Sequence, residues 1–477
     1  MRLLIILALA GMLSSGQAPS TAPTTLYVDA ALGNDSVSRA ANSAERPWKT
    51  IGRAAWGSTN RSATNAAEAA QAGDRVMVAA GTYDFSGRIG QRWGVVYNPV
   101  NEGTSPTNAI TFVANGPVIL TAADAAAPVI GCYGRDHIVW SGPFDIDEAN
   151  ISISPDTGTV VMSGDVTGCG VDGIRIDGNG APKYVDNHTG VRIEVCRGCF
   201  VRNSTITAVR HMRGNHNGSG VMLYDAYDTL IENNYIHDVD NAVYIKGAQR
   251  KVPQSGTTVR YNLMANCGEC LTILASKDSR IYQNVIRDSQ IALNLTAMTA
   301  EPINHPVGDW IVNNTIDNMS AACIFPSGGP WHTEVRIWNN ILTNCRRVIY
   351  REEGTFGKSG VDWQHNVYDG FGGFANDGSQ SYGIEQWRSN FAQDHATPAS
   401  KTTNPGYVNR ADHDFRLCRG ARTPRDTCRT ASAAGSIGVD ILDLNRNGQS
   451  TDLIPAGAFV TNEERIGPVP KSRSDRR

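Results

Sequence analysis

Lys246 closes a short apolar segment, Val243-Tyr244-Ile245-Lys246, in a chain with only eight Lys beside 35 Arg. A lysine amine can serve as a base when cationic neighbours or desolvation favour its neutral form. Arg210, Arg213 and Arg250 could supply such a positive field, and Tyr224 or Tyr244 could donate a proton. Those are the three parts that β-elimination from a uronic acid requires. A cation neutralises the carboxylate, a base takes the α-proton, and a donor protonates the leaving oxygen. Lys277, in Leu274-Ala-Ser-Lys277-Asp, is a second candidate base, and Arg280 a further candidate cation. Glu194 and Asn294 are candidate substrate contacts on neighbouring strands. Five carboxylates, Asp225, Asp228, Asp238, Asp240 and Glu269, could build a calcium site that neutralises the uronate instead. Against each stands a plainer reading: Lys246 as a solvated rung beside tyrosines, the aspartates as turn residues, and His211, His216 and His237 as surface histidines.

The elements that position these residues are repeats. A phrase of two strand residues, a position biased to Asn and another apolar pair recurs through the middle of the chain. It reads Val201-Arg-Asn-Ser204-Thr-Ile206, Ile231-Glu-Asn-Asn234-Tyr-Ile236, Val259-Arg-Tyr-Asn262-Leu-Met264 and Ile281-Tyr-Gln-Asn284-Val-Ile286. It continues through Asn314, Asn340 and Asn366. The spacings along this column are 30, 28, 22, 30, 26 and 26 residues. A period in the twenties with variable insertions means a solenoid, and short β-branched segments with alternating polarity make its walls strands. The fold class expected is all-β, a single-stranded right-handed parallel β-helix with an Asn ladder. Asn suits the bends because it tolerates left-handed dihedrals and its amide can hydrogen-bond along the stack. Alternation on the strand before each bend points Met222, Tyr224, Tyr244, Lys246, Thr272, Leu274, Ala292 and Asn294 outward on one sheet. Insertions at 210–219, 250–256, 298–308 and 327–333 would wall that sheet into a trough for an extended polymer.

Composition agrees. With 19% charged residues, 48 Gly and 36 Asn, the chain does not read as a helix bundle. A formal net charge of −3 leaves no basic field for nucleic acid. Arg2 followed by the apolar run Leu3 to Leu13 and Gly16-Gln17-Ala18 reads as a signal peptide over 1–18, too short to span a membrane. The expected organisation is an N-terminal cap with first coils over 19–125, the β-helix over 126–400 and a closing segment with a basic tail over 401–477. Together they form one continuous domain. A secreted or periplasmic monomer is expected. Ten Cys are compatible with disulfides; Cys418 with Cys428, Cys132 with Cys169 and Cys323 with Cys345 are the pairs read. Cys196/Cys199 and Cys267/Cys270 lie on different coils, too far apart to gather four thiolates on one zinc.

Leu26-Tyr27-Val28-Asp29, Gly33-Asn34-Asp35, Pro47-Trp48-Lys49-Thr50-Ile51 and Val78-Ala79-Ala80-Gly81-Thr82-Tyr83 resemble the opening segment of secreted β-helix proteins. These include polysaccharide lyases of families six and nine. Asp414-Phe415-Arg416-Leu417, Ile437-Gly438-Val439-Asp440 and Pro455-Ala456-Gly457-Ala458 resemble their closing segment. The stretch around Ser276-Lys277-Asp278 resembles the alginate lyase and chondroitinase B family, which implies a catalytic role for Lys277. The matching next strand, Leu293-Asn294-Leu295-Thr296, has no Arg, so the resemblance leaves that role to Arg280 or Arg210. What it implies is an acidic polysaccharide as partner and a lyase activity. The alternative is a non-catalytic glycan-binding or surface protein. Gly-His-Gly with paired Asp, Asp-Pro-His, a phosphate loop and a Gly-x-Ser-x-Gly elbow are missing. Hydrolysis by two carboxylates stays open through Glu194 with Asp225.

Overall fold

The computed structural model describes residues 23–85, 95–126, 128–152, 157–180, 188–211, 218–247, 255–297, 304–327, 332–350, 360–376, 379–391, 393–394 and 399–418, with short stretches between 438 and 468. The chain winds as a right-handed parallel β-helix whose coils contribute three short strands each. Sheet A stacks Ile130–Tyr133, Thr157–Thr167, His188–Arg197, Gly218–Tyr227, Asn241–Ile245 and Glu269–Ile273, then 291–295 and 322–326. Sheet B runs from Thr25–Val28 through Phe200–Arg202, Leu230–Glu232, Thr258–Arg260, Arg280–Tyr282, Trp310–Val312 and Val335–Trp338 to Val361–Gln364. Sheet C includes Thr205–Thr207, Tyr235–His237, Leu263–Ala265, Ile341–Cys345 and Val367–Asp369.

The bend between sheets B and C carries the asparagine column. Asn284 donates from Nδ2 to Asn314 Oδ1 (2.9 Å) and to Val259 O (2.9 Å), while its backbone N–H donates to Asn314 Oδ1 (3.1 Å). The pattern repeats from Asn234 to Asn366, and Ser204 and Ser400 continue it at either end. One part of the sequence reading changes. The left-handed residue is the one before the column: Asn203, Asn233, Tyr261, Gln283, Asn313, Asn339 and His365 all have φ between 52° and 58°. The column amide is therefore selected for hydrogen bonding and its neighbour for conformation.

Alternation on sheet A also has an exception. Ala242 and Val243, Cys270 and Leu271, Ala292 and Leu293, and Cys323 and Ile324 all belong to the core as consecutive pairs. Ala292, expected outward, thus faces inward. The first member sits where the strand enters its corner and must be small: a Cβ on Gly190 would lie 2.8 Å from both Gly220 O and Ile206 Cγ2.

The core is continuous from Leu26, Trp48 and the buried helix Ile51–Trp56 to Trp387. A globular core stops growing at a few hundred residues, whereas a solenoid lengthens its core by stacking. Disulfides join Cys132 to Cys169, Cys196 to Cys199 and Cys323 to Cys345; Cys267 and Cys270 are buried thiols. Cys418 is also disulfide-bonded, and Cys428, read as its partner, lies outside the described residues, as does the stretch 1–18 read as a signal peptide. Among the described residues no helix is long and apolar enough to cross a membrane. The outer face of sheet C is covered: Tyr407, Phe415, Ala456 and Ala458 pack on Leu263, Val285, Ile341 and Val367. Ala458 N–H donates to Thr315 Oγ1 (2.9 Å), and Arg410 pairs with Asp317 (3.0 Å).

Two stability predictions follow from the bends. Asn314→Ala strips Asn284 N–H and Ile281 O of their partner. It should cost about 2–4 kcal/mol, read as a lower denaturant midpoint, with Asn314→Ser recovering part of the loss. Asp309, fully buried at the bend into sheet B, accepts from the Ser276 hydroxyl and from Ser279 N–H (2.8 Å), yet burial pushes its pKa up to about 7. Its neutral form is favoured by folding, so the stability it contributes is present below about pH 4 and is lost as pH rises through 7. Asp309→Asn should therefore gain unfolding midpoint relative to the parent across that interval.

Candidate functional site

The outer face of sheet A gathers the chemistry. Register places Met222 beside Tyr244, Tyr244 beside Thr272 and Thr272 beside Asn294. In the adjacent column Glu194 lies beside Tyr224, and the Lys246 N–H bonded to Leu223 O (3.0 Å) brings Lys246 alongside Tyr224. Lys246 Nζ stands 5.6 Å from the Tyr224 ring centroid and 5.8 Å from that of Tyr244. The Arg192 guanidinium lies 5.8 Å from the same Tyr224 ring and donates from Nε to Glu194 (2.8 Å). Lys246, Tyr224, Tyr244 and Glu194 are therefore together, as the alternation required. Arg192 was not singled out from the sequence. Its signal was available, because it holds the place in Val191-Arg192-Ile193-Glu194 that Met222 and Tyr244 hold one and two coils later.

Below these residues the sheet is polar and buried. Glu269, 5% exposed, accepts from Thr272 Oγ1 (2.6 Å) and Asn294 Nδ2 (2.8 Å), and Thr272 Oγ1 also lies 2.6 Å from Asn241 Oδ1. Tyr244 is 8% exposed, and its phenol is pushed up to about 12, first by burial and then by the Glu269 charge. It thus holds its proton at neutral pH. Glu269 also lines a cavity of about 500 Å³ at the bend between sheets C and A, with Arg210, Asp240, Asp288, Gln290 and Asn318. Arg210 lies 3.7 Å from Asp240, whose carboxyl accepts His211 N–H (2.6 Å) and is raised by burial.

Other candidates are dispersed. Lys277 is exposed on Ser276–Lys277, which pairs with Pro306–Val307 in a separate two-stranded sheet on the bend leaving sheet A. Arg280 opens a strand of sheet B and stacks on Trp310, so it belongs to another face of the solenoid. Asp225, Asp228 and Asp238 occupy left-handed positions in the bends (φ 49°, 52° and 57°). Asp228 pairs with Arg197, Asp238 with His237, Asp240 with Arg210, and Glu269 with Thr272 and Asn294. Among the described residues no group of three His, Cys, Asp or Glu is placed to hold a metal ion. The five carboxylates do not fit one calcium. Arg213, Arg250 and His216 lie outside the described residues.

Residues 144–370 match a family model described as periplasmic copper-binding protein (NosD). No curated protein sequence matches the chain. Among solved structures it is similar to the pectate lyase Pel9A, at 13% identity over 92% of this chain and 97% of that one, with a TM-score of 0.43. It is also similar to a mannuronic acid specific polysaccharide family 6 lyase from human gut microbiota, at 12% identity over 76% and 77% of the two chains and a TM-score of 0.43. A third likeness is to the A-module of the Azotobacter vinelandii mannuronan C-5 epimerase AlgE6, at 12% identity over 65% and 88% and a TM-score of 0.40.

Since the Glu269 charge helps hold the Tyr244 proton, Glu269→Gln should lower the pH at which Tyr244 ionises. An ultraviolet phenolate titration referenced to Tyr244→Phe reads this directly, and an unmoved titration refutes the coupling.

Proposed function

We propose that this chain is an exported carbohydrate-active protein that binds uronate-containing polysaccharide along sheet A and cleaves it by β-elimination. The single observation that carries the reading is the convergence of Lys246, Tyr224, Tyr244 and Arg192 on one strip of parallel rungs, half-buried at Lys246 and Tyr224 and buried at Tyr244 and Arg192. Arg192 supplies positive charge for the uronate carboxylate, partly offset by Glu194. Lys246, as the free amine, takes the proton α to the carboxylate. The electron pair of that C–H bond forms the ring double bond, the bond to the leaving glycosidic oxygen breaks, and that oxygen takes a proton from a phenol. Tyr244 suits the last role because it is protonated at neutral pH and stands beside Lys246. Thr272 and Asn294, fixed by Glu269, supply polar contacts along the same column.

The mature protein, incubated with alginate, pectate and chondroitin, should release unsaturated product from one of them, followed by ultraviolet absorbance. Lys246→Ala and Tyr244→Phe should each cut the rate by roughly a hundredfold or more. Activity that survives the double variant sinks the assignment of base and donor. Binding without product on every substrate would favour a non-catalytic glycan-binding protein.

A further inference from the structure

Sheet C is covered by the C-terminal segment and sheet A carries the Lys246 cluster, which leaves the outer face of sheet B without a described cover. Its composition is unlike either. Register stacks Arg280, Trp310 and Arg336 on three consecutive rungs. The Arg280 guanidinium lies 4.3 Å from the Trp310 ring centroid, and that of Arg336 lies 4.8 Å from it on the other side. Two cations are thus clamped on the two faces of one indole, at a separation set by the rungs.

Asp278 and Asp309 lie within electrostatic reach of Arg280, but neither forms an ion pair with it among the described residues, and the other carboxylates at this face are hydrogen-bonded elsewhere. Asp362, beside Arg336 in register, accepts from Trp338 Nε1 (3.1 Å) and Gln364 Nε2 (2.8 Å). Asp309 is held by Ser276 and Ser279. Arg280 donates only to the backbone carbonyls of Ser279 (3.1 Å) and Gly308 (3.2 Å) among its described hydrogen bonds. By contrast, Arg260, further along the sheet, is neutralised by Glu232 (2.6 Å). A planar guanidinium held in place but lacking a carboxylate partner is the group that recognises carboxylates best.

We infer that the Arg280–Trp310–Arg336 strip is a binding surface, separate from the Lys246 strip of sheet A, for the carboxylates of an acidic polysaccharide lying across the rungs. The chemistry favours that ligand over single-stranded nucleic acid. Both faces of Trp310 are taken by guanidinium groups, leaving no ring face on which a base could stack. The ligand class is that of the proposed function, whereas the site is new.

Affinity electrophoresis in gels containing alginate or polygalacturonate tests it. Arg280→Gln/Arg336→Gln should weaken retardation roughly tenfold, and added salt should weaken that of the parent. Arg280→Lys/Arg336→Lys, which keeps the charge, should recover part of it, with unfolding midpoints showing that all variants fold. Retardation unchanged in the Gln pair overturns the inference. Equal or stronger retardation by single-stranded DNA that depends on the same two arginines overturns it in favour of nucleic acid. Retardation that depends on Arg280 and Arg336 in a protein that forms no unsaturated product supports this surface while defeating the lyase reading.

Discussion

Everything in this molecule depends on coils being hydrogen-bonded to the coil before and the coil after in one unchanging register. Parallel rungs about 4.8 Å apart place the same position of each repeat in a column. The column amides fix the B-to-C bend by bonding to backbone and to one another. Stability in such an array is a sum of coil and interface contributions. A substituent is therefore felt chiefly by its own coil and the two adjoining it. The same regularity turns residues about 22 to 30 positions apart into neighbours, which is how Glu194, Tyr224 and Lys246 come to share a column.

That regularity explains what the sequence made legible. The Asn column and the alternation beside it gave the solenoid, the inward positions and the shared face of Tyr224, Tyr244 and Lys246. Alternation misplaced Ala292 because two consecutive residues turn inward at the corner of sheet A, a feature visible only once several coils are aligned. It passed over Arg192 because that strand was read for its carboxylate. Lys277 was read from a family resemblance and Arg280 as the stand-in for an arginine that the next strand lacks, yet the bend between sheets A and B intervenes and carries both away from the outer face of sheet A. Bends lack a period, so what lies beyond them cannot be counted from the repeat.

Sheets A and B differ in how the charges on their outer faces are balanced. On sheet A, Arg192 is offset by Glu194, and a buried Glu269 organises neutral polar groups and keeps Tyr244 protonated. On sheet B the arginines rest on tryptophan, and the carboxylate beside Arg336 is drawn off by Trp338 and Gln364. Proton transfer demands groups whose protonation is tuned by burial, whereas holding a polyanion needs only fixed cations. One scaffold can carry two such differently balanced faces because each sheet presents its own columns.

The bend at the asparagine column is always two residues long, so the range of repeat lengths from 22 to 30 falls on the other two bends. Both of those flank sheet A. Insertions and deletions are thus channelled by geometry to the rims of one face, while the ladder is shielded from them. A lineage built on this plan can reshape the rims of sheet A by changing loop length alone without disturbing the register of a single strand.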